Sequence, residues 1–323
     1  MPGTQDDIAR TIPAMFILML EGQEDVTAAD WLATAEAAER LGYDGFFTSD
    51  HYFSVVGAEG RGSLDAWGAL CAIAARTSRL RLGTMVSPVT FRPPAVLAKL
   101  ALTADGISGG RVELGIGTGW HDTEHRRFGL PFPPFAERLE MLAEQAEIIR
   151  RLTDGETVDF SGKHYTLEDA RLLPRPANGR MPILFGGSAK PKVAALAARF
   201  ADGYNLSSAT PDSVRAARQR LDAACEAIGR DPATLELSIM ASLVVGTGDA
   251  DYARRAANYQ RKALEPPEAG DDGTWVAGTP AQALERIAEF RAAGVQRFFL
   301  NLFDHRDLDM VELVATDVLP HAR

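Results

Sequence analysis

Short apolar runs alternate with amphipathic helical patterns along nearly the whole chain, and this alternation limits the possible folds more than any single motif does. Ile12–Leu20 reads as a first strand. Thr27–Leu41 reads as a helix that Thr27 caps and Gly42 ends. Asp44–Thr48 is a second strand, Asp65–Thr77 a helix and Leu80–Val86 a third strand. Pro93–Ile107 is a helix opening on prolines, where a missing N–H costs little, and Arg111–Gly117 is a fourth strand. The long helix Phe135–Leu152 and a small β-excursion at Val158–Leu167 follow. Pro182–Phe185, Gly203–Asn205, Leu237–Val245 and Arg297–Leu302 read as the last four strands, with helices at Lys190–Phe200, Pro211–Ile228, Thr279–Ala293 and Leu308–Val318.

Strands that alternate with helices imply a parallel sheet. Eight such units in 323 residues favour an α/β chain folded as one (β/α)8 TIM barrel with small insertions, a single domain over 1–323. An open doubly wound sheet is the alternative, but its GxGxxG fingerprint after the first strand is missing. The least regular segment, Glu265–Trp275, reads as a mobile loop near the top face. With 46% hydrophobic residues the chain can bury a large core, and a net charge of −10 argues against nucleic acid as a partner. Cys71 and Cys225 lie in apolar helical stretches, with no zinc spacing and no disulfide framework, which fits a reducing cytoplasm. Ile12–Leu20 is too short to span a bilayer, and its flank is acidic at Asp6 and Asp7. A cytoplasmic protein with no membrane partner is therefore expected.

In such barrels the chemistry sits at the C-terminal strand ends. Strand two ends in Asp50-His51-Tyr52-Phe53, strand three in Met85-Val86-Ser87-Pro88, and strand four in Gly117-Thr118-Gly119-Trp120-His121. Gly186-Gly187-Ser188 follows strand five and precedes a helix, which makes it either an anion site of free N–H groups or a plain turn. Gly117-Thr118-Gly119 either clears room for a flat ring or is a tight strand exit. Asp50 and His51 form a titratable pair suited to proton transfer. His121, Glu124 and His125 form a second cluster without HExxH spacing, read as a solvated helix start or a pocket wall and not as a metal site. His164, His305 and His321 read as peripheral.

The runs Leu82-Gly83-Thr84, Phe91-Arg92-Pro93-Pro94-Ala95 and Ser108-Gly109-Gly110-Arg111 through Trp120 resemble the luciferase-like monooxygenase superfamily. Asp50-His51, Glu124 to Gly129 with Pro131-Phe132, and Phe185 to Ser188 extend the likeness. Within the superfamily the chain most resembles the actinobacterial-type oxidoreductases that use the deazaflavin F420. That resemblance implies the same barrel, with catalytic Asp50 and His51 at the redox ring and a non-proline cis bond at Met85–Val86 backing it. Ser87–Pro88 is the competing cis site. It further implies phosphate contacts at Gly186, Gly187 and Ser188, and cofactor contacts at Asp50, Met85, Val86, Gly117, Thr118 and Gly119. The deazaflavin sugar-phosphate dehydrogenases carry a tryptophan and a glutamate where this chain has the stretch Tyr52–Val55 and Trp120. A sugar phosphate is thus disfavoured, and Trp120 with His121 and Phe53 suggests a more apolar substrate pocket.

The expected function is hydride transfer between F420 and a small organic molecule, with the cofactor carrying the hydride and the protein tuning it. An FMN-dependent monooxygenase is the alternative, and a barrel that only binds a ligand as carrier or sensor is a third. The resemblance suggests a homodimer, while the substrate and the direction of transfer stay open.

Overall fold

Helix boundaries follow the chain's own capping residues. Thr27 accepts the N–H of Asp30, whose carboxylate returns a bond to the Thr27 N–H, and Gly42 closes the helix at φ 83°. The computed structural model describes residues 13–56, 59–261, 264 and 274–323. Its elements run β1 (Met15–Leu20), α1 (Ala28–Leu41), β2 (Gly45–Thr48), α2 (Ala66–Arg76), β3 (Arg81–Thr84), β4 (Ser87–Pro88), α3 (Pro94–Ser108) and β5 (Val112–Gly117). Then come α4 (Asp122–Phe128), α5 (Phe135–Thr153), β6 (Val158–Ser161), β7 (Thr166–Ala170), β8 (Ile183–Gly186), α6 (Pro191–Phe200), β9 (Gly203–Ser207) and α7 (Pro211–Glu226). The last are β10 (Glu236–Val245), α8 (Asp249–Arg261), β11 (Val276–Gly278), α9 (Pro280–Ala292), β12 (Arg297–Leu302), α10 (Leu308–Asp317) and α11 (Leu319–Ala322).

Eight strands close into a parallel ring in the order β1, β2, β3, β5, β8, β9, β10, β12, with β12 returning to β1. This is the (β/α)8 barrel. The antiparallel hairpin β6–β7 is the expected small excursion, and β11 extends β10 outside the ring.

Two apolar layers hold it together. The larger packs helices onto the outside of the strands, and the smaller fills the lumen with Ile17, Met19, Phe47, Met85, Leu184 and Phe299. Phe47 meets Phe299 edge to face at 5.0 Å. Below them, at the N-terminal strand ends, Arg297 donates to Glu113 at 2.6 Å and lies 2.7 Å from Glu236, while Arg81 also reaches Glu113. This floor of paired charges shuts the lower end of the barrel, so an accessible site must lie at the top.

β3 departs from the expected strand. It ends at Thr84, the chain bulges through Met85 and Val86, and pairing with β5 resumes at Ser87–Pro88 against Ile116 and Gly117. The Met85–Val86 bond is cis, whereas Ser87–Pro88 is not; Leu173–Pro174 is a second cis bond. Glycines on β5 make room for the bulge. A Cβ at Gly115 would sit 1.9 Å from the Thr84 carbonyl oxygen, and one at Gly117 2.7 Å from a Val86 methyl.

Other readings need correction. The first strand begins at Met15; Ile12 and residues 265–273 of the irregular segment lie outside the described residues. Helices α8 and α11 and strand β11 were not expected, and α4 was read only as a helix start. Cys225 is buried, but Cys71 is partly exposed on α2. Among the described residues no helix is long and apolar enough to cross a membrane.

Candidate active site at the top of the barrel

Asp50 and His51 leave the end of β2 in sequence, but their side chains find different partners. Asp50 is fully buried. Arg92 donates to it at 2.5 and 3.3 Å, and the Ser87 hydroxyl donates at 2.6 Å. Arg92 also donates to Asp65 at 2.6 Å and to the Tyr52 hydroxyl at 2.9 Å. The Trp67 indole N–H in turn holds Ser87 at 3.1 Å. Burial pushes the Asp50 carboxyl up, against the pull of Arg92 and Ser87; burial pulls the Arg92 guanidinium down, but the charge and hydrogen bond of Asp50 outweigh it and its pKa rises. This network grips the strand just beyond the Met85–Val86 bulge. The expectation of an Asp50–His51 titratable pair is therefore replaced by two separate assemblies.

His51 turns to Glu124 instead. Its Nδ1 lies 2.8 Å from Glu124 Oε1, and the other carboxylate oxygen accepts the Tyr52 backbone N–H at 3.0 Å. Glu124 reaches this point because α4 is pinned from below. His125, wholly buried, has Nδ1 2.8 Å from the His121 carbonyl and Nε2 2.6 Å from the Thr90 hydroxyl. Glu124 and His125 are thus buried, not a solvated helix start. Burial pulls the His51 imidazolium down, but the hydrogen bond and charge of Glu124, aided by Glu21 and Asp50, outweigh it, and the pKa rises above the usual histidine value. Burial dominates at His121, whose pKa is lowered despite Glu124. The nearest ligand-type atoms of His51, His121 and Glu124 lie within 4.8 Å of one another, with His121 Nδ1 3.9 Å from the Glu124 oxygen that meets His51.

An aromatic wall stands beside this pair. Trp120 is 62% exposed, stacks on His121 at 5.0 Å and points edge-on to His51 at 5.7 Å. Phe53 lies 5.9 Å from His121 and carries the Arg127 guanidinium on its face at 4.3 Å. Trp120, His121 and Phe53 are therefore brought together, as the sequence suggests.

The opposite rim contains Gly186, Gly187 and Ser188. Gly187 sits at φ 143°, and a Cβ on Gly186 would lie 3.0 Å from Val86. The Gly187 N–H is donated to the Asn205 carbonyl at 3.0 Å and the Ala189 N–H to the Tyr204 hydroxyl at 2.8 Å. Two N–H groups of this turn are thus spent internally. What remains for an anion is the exposed Ser188 and the start of α6, where Pro191 follows Lys190 and no side chain caps the helix. Gly117 and Gly119 also do something other than expose bare backbone. Gly117 faces Val86 and so admits the bulge, while Gly119 sits at φ 74° with its Cβ side 3.2 Å from Pro88. The Thr118 carbonyl is taken by Arg138 Nε at 3.1 Å.

Reading the sequence alone leaves out Arg92 as the partner of Asp50, Glu124 as the partner of His51, and Glu21. Glu21 is buried at the end of β1, accepting from Asn301 at 2.7 Å and Gln23 at 2.5 Å. His305, expected at the periphery, is buried near Asp30. The signal for Arg92 was present: an arginine set between Phe91 and two prolines is poorly placed for solvent.

Comparison with known proteins adds the following. The model of the family described as luciferase-like monooxygenase matches residues 14–297. An F420-dependent glucose-6-phosphate dehydrogenase of Amycolatopsis mediterranei (strain U-32) is 29% identical over 319 residues, covering 91% of this chain and 94% of its own. Pyrimidine monooxygenase RutA of Stutzerimonas stutzeri (strain A1501) is 34% identical over 214 residues, 64% of this chain and 57% of its own. A solved F420-dependent secondary alcohol dehydrogenase shares the fold at TM-score 0.84 and 21% identity, over 97% of this chain and all of that one.

Proposed function

Because the chain belongs to the luciferase-like monooxygenase family, we propose that this enzyme is an F420-dependent oxidoreductase that exchanges a hydride with a small organic substrate. The observation that carries this reading is the Val86 bulge, seated between Gly117 and Gly186, with the uncapped start of α6 on one side of it and His51 on the other. That arrangement fits a flat ring with a phosphate tail. Near-full-length similarity to an F420-dependent dehydrogenase supports it.

Met85 and Val86 would back the ring. Ser188 and the N–H groups of the first turn of α6 beyond Pro191 would hold the phosphate, with the helix dipole, while Gly186 and Gly187 leave room for its approach. Thr118 and Gly119 would line the chain between the two. When bound, the deazaflavin supplies or accepts the hydride. His51 holds a proton on the nitrogen facing away from Glu124, and delivers it to the substrate atom that gains the electron pair. In the oxidative direction His51 receives that proton. Asp50 acts from beneath, by fixing Ser87 and Arg92. Trp120, His121 and Phe53 exclude water and favour a substrate with apolar or planar surface.

An FMN-dependent monooxygenase is the second reading, favoured by the local similarity to the pyrimidine monooxygenase. Oxygen separates the two, since reduced deazaflavins react with it far more slowly than reduced flavins. With reduced F420 and an accepted substrate, the expected rate is the same in air and under argon, with no oxygen consumed. Turnover that needs oxygen, and stops under argon, would overturn the hydride-transfer reading in favour of the monooxygenase.

A further inference from the structure

The histidine at the end of β2 is one half of a buried pair whose other half comes from a helix 73 residues further along the chain. We propose that Glu124 is the positioning residue of His51, accepting its Nδ1–H so that Nε2 is the nitrogen that exchanges a proton with the reacting molecule. This deepens the hydride-transfer reading and rests on it for the identity of that molecule, but the placing of the ring does not.

Three features carry it. The Nδ1 contact is 2.8 Å to a carboxylate that is 1% exposed, and the second oxygen of that carboxylate is held by the Tyr52 N–H at 3.0 Å, so the acceptor cannot swing away. The helix that brings Glu124 turns two of its five ionisable residues, Glu124 and His125, inward, with His125 locked to the His121 carbonyl and to Thr90. An inward polar face on a seven-residue helix costs desolvation, and it needs a partner that uses it. Finally, Nε2 of His51 has no hydrogen-bond partner among the described residues, and the ring edge lies beside the exposed Trp120.

The chemistry follows the arrangement of protons. In the reductive direction His51 starts as the imidazolium, with one proton facing Glu124 and one on Nε2. A deazaflavin held here would supply the hydride to a substrate carbon, and the Nε2 proton of His51 goes to the atom that takes up the displaced electron pair. His51 is left neutral with its remaining proton on Nδ1, the tautomer Glu124 selects. The charged groups facing His51 are Glu124 from α4, Glu21 from the end of β1, its neighbour Asp50, and His121 from the loop after β5. Of the three carboxylates only Glu124 touches the ring. Losing its charge leaves burial free to lower the imidazolium pKa.

Histidine-selective labelling with 15N and 13C reads this directly, since the chain has six histidines and His51 is assigned by its absence from the His51→Gln spectrum. In the wild-type apo-enzyme, neutral His51 should carry its proton on Nδ1. Glu124→Gln should lower its titration midpoint by about 1–2 pH units. The high-pH fall in reductive single-turnover rate should move down by the same amount, with cofactor affinity little changed. Glu124→Asp, which keeps the charge, should restore most of the midpoint. A wild-type Nε2–H tautomer, or a Glu124→Gln midpoint within a few tenths of wild type, overturns the proposal, and the tautomer is read on the wild type, with only the assignment resting on His51→Gln, whose amide keeps Glu124 a donor. If the ring behaves as stated but no deazaflavin is turned over, the activity assigned to the site fails while the positioning role stands.

Discussion

Replacing His51 by glutamine should slow hydride transfer to the bound substrate about 10²–10⁴-fold, the usual contribution of a positioned proton donor or acceptor. Glutamine is the informative choice. Its amide can still donate to Glu124, so the buried carboxylate keeps a partner and the fold is preserved. Alanine would leave Glu124, which is 1% exposed, with the Tyr52 N–H alone and no cation, and buried charges deprived of their ionic partner cost about 3–5 kcal/mol of stability. A slow His51→Ala enzyme could therefore be slow because it is unfolding. Cofactor affinity should change much less than the rate, because the proposed phosphate grip lies across the mouth of the barrel at Ser188 and the start of α6. Stopped-flow single turnovers at saturating cofactor measure the rate, and a fluorescence titration measures the affinity. A rate near wild type would remove His51 from the proton path and turn attention to His121. A large loss of affinity with the rate intact would mean that the ring merely packs against the cofactor.

Replacing Asp50 by alanine should destabilise the folded enzyme by about 3 kcal/mol, at the low end for a broken buried ion pair because Asp65 still holds one face of Arg92. The cost arises from Arg92, 8% exposed and left with less compensation, and from Ser87, which loses its acceptor. Replacing both partners with apolar residues, as in Asp50→Leu with Arg92→Met, should recover a large part of that loss, since no charge is then stranded. Denaturant unfolding of the single and double variants measures both quantities. A loss under about 1 kcal/mol for Asp50→Ala would show that the pair does not carry the strand end. Its effect on turnover should follow from displaced Ser87 and Val86, because Asp50 is fully enclosed and has no surface to offer a substrate.

The elements legible in the sequence were those whose apolar residues follow the period of the structure they form. Strands such as Leu237–Val245 and Arg297–Leu302 are nearly continuous apolar runs, as strands buried on both faces must be. α8 escaped because its buried residues are Tyr252, Arg255 and Tyr259, among alanines and charged residues with no run of large aliphatic side chains. α4 escaped because its buried residues are Glu124 and His125, which read as solvent-facing in any hydropathy pattern. At the site, the strand-end rule located Asp50, His51, Trp120 and the glycine turns, but adjacency in sequence misled on partnership. Consecutive residues leaving a strand point to opposite sides, and here Asp50 meets Arg92 while His51 meets Glu124. Glycine spacing likewise marked the right places for a different reason. Gly115 and Gly117 clear space for a neighbouring strand's bulge, a long-range demand that no local pattern encodes.

The central claim is that this barrel top is built for a deazaflavin, and calorimetric titration of the purified apo-enzyme with F420 and with FMN tests it most directly. Tighter binding of F420 than of FMN is the predicted result. Micromolar or tighter binding of FMN, with no measurable affinity for F420, would contradict it.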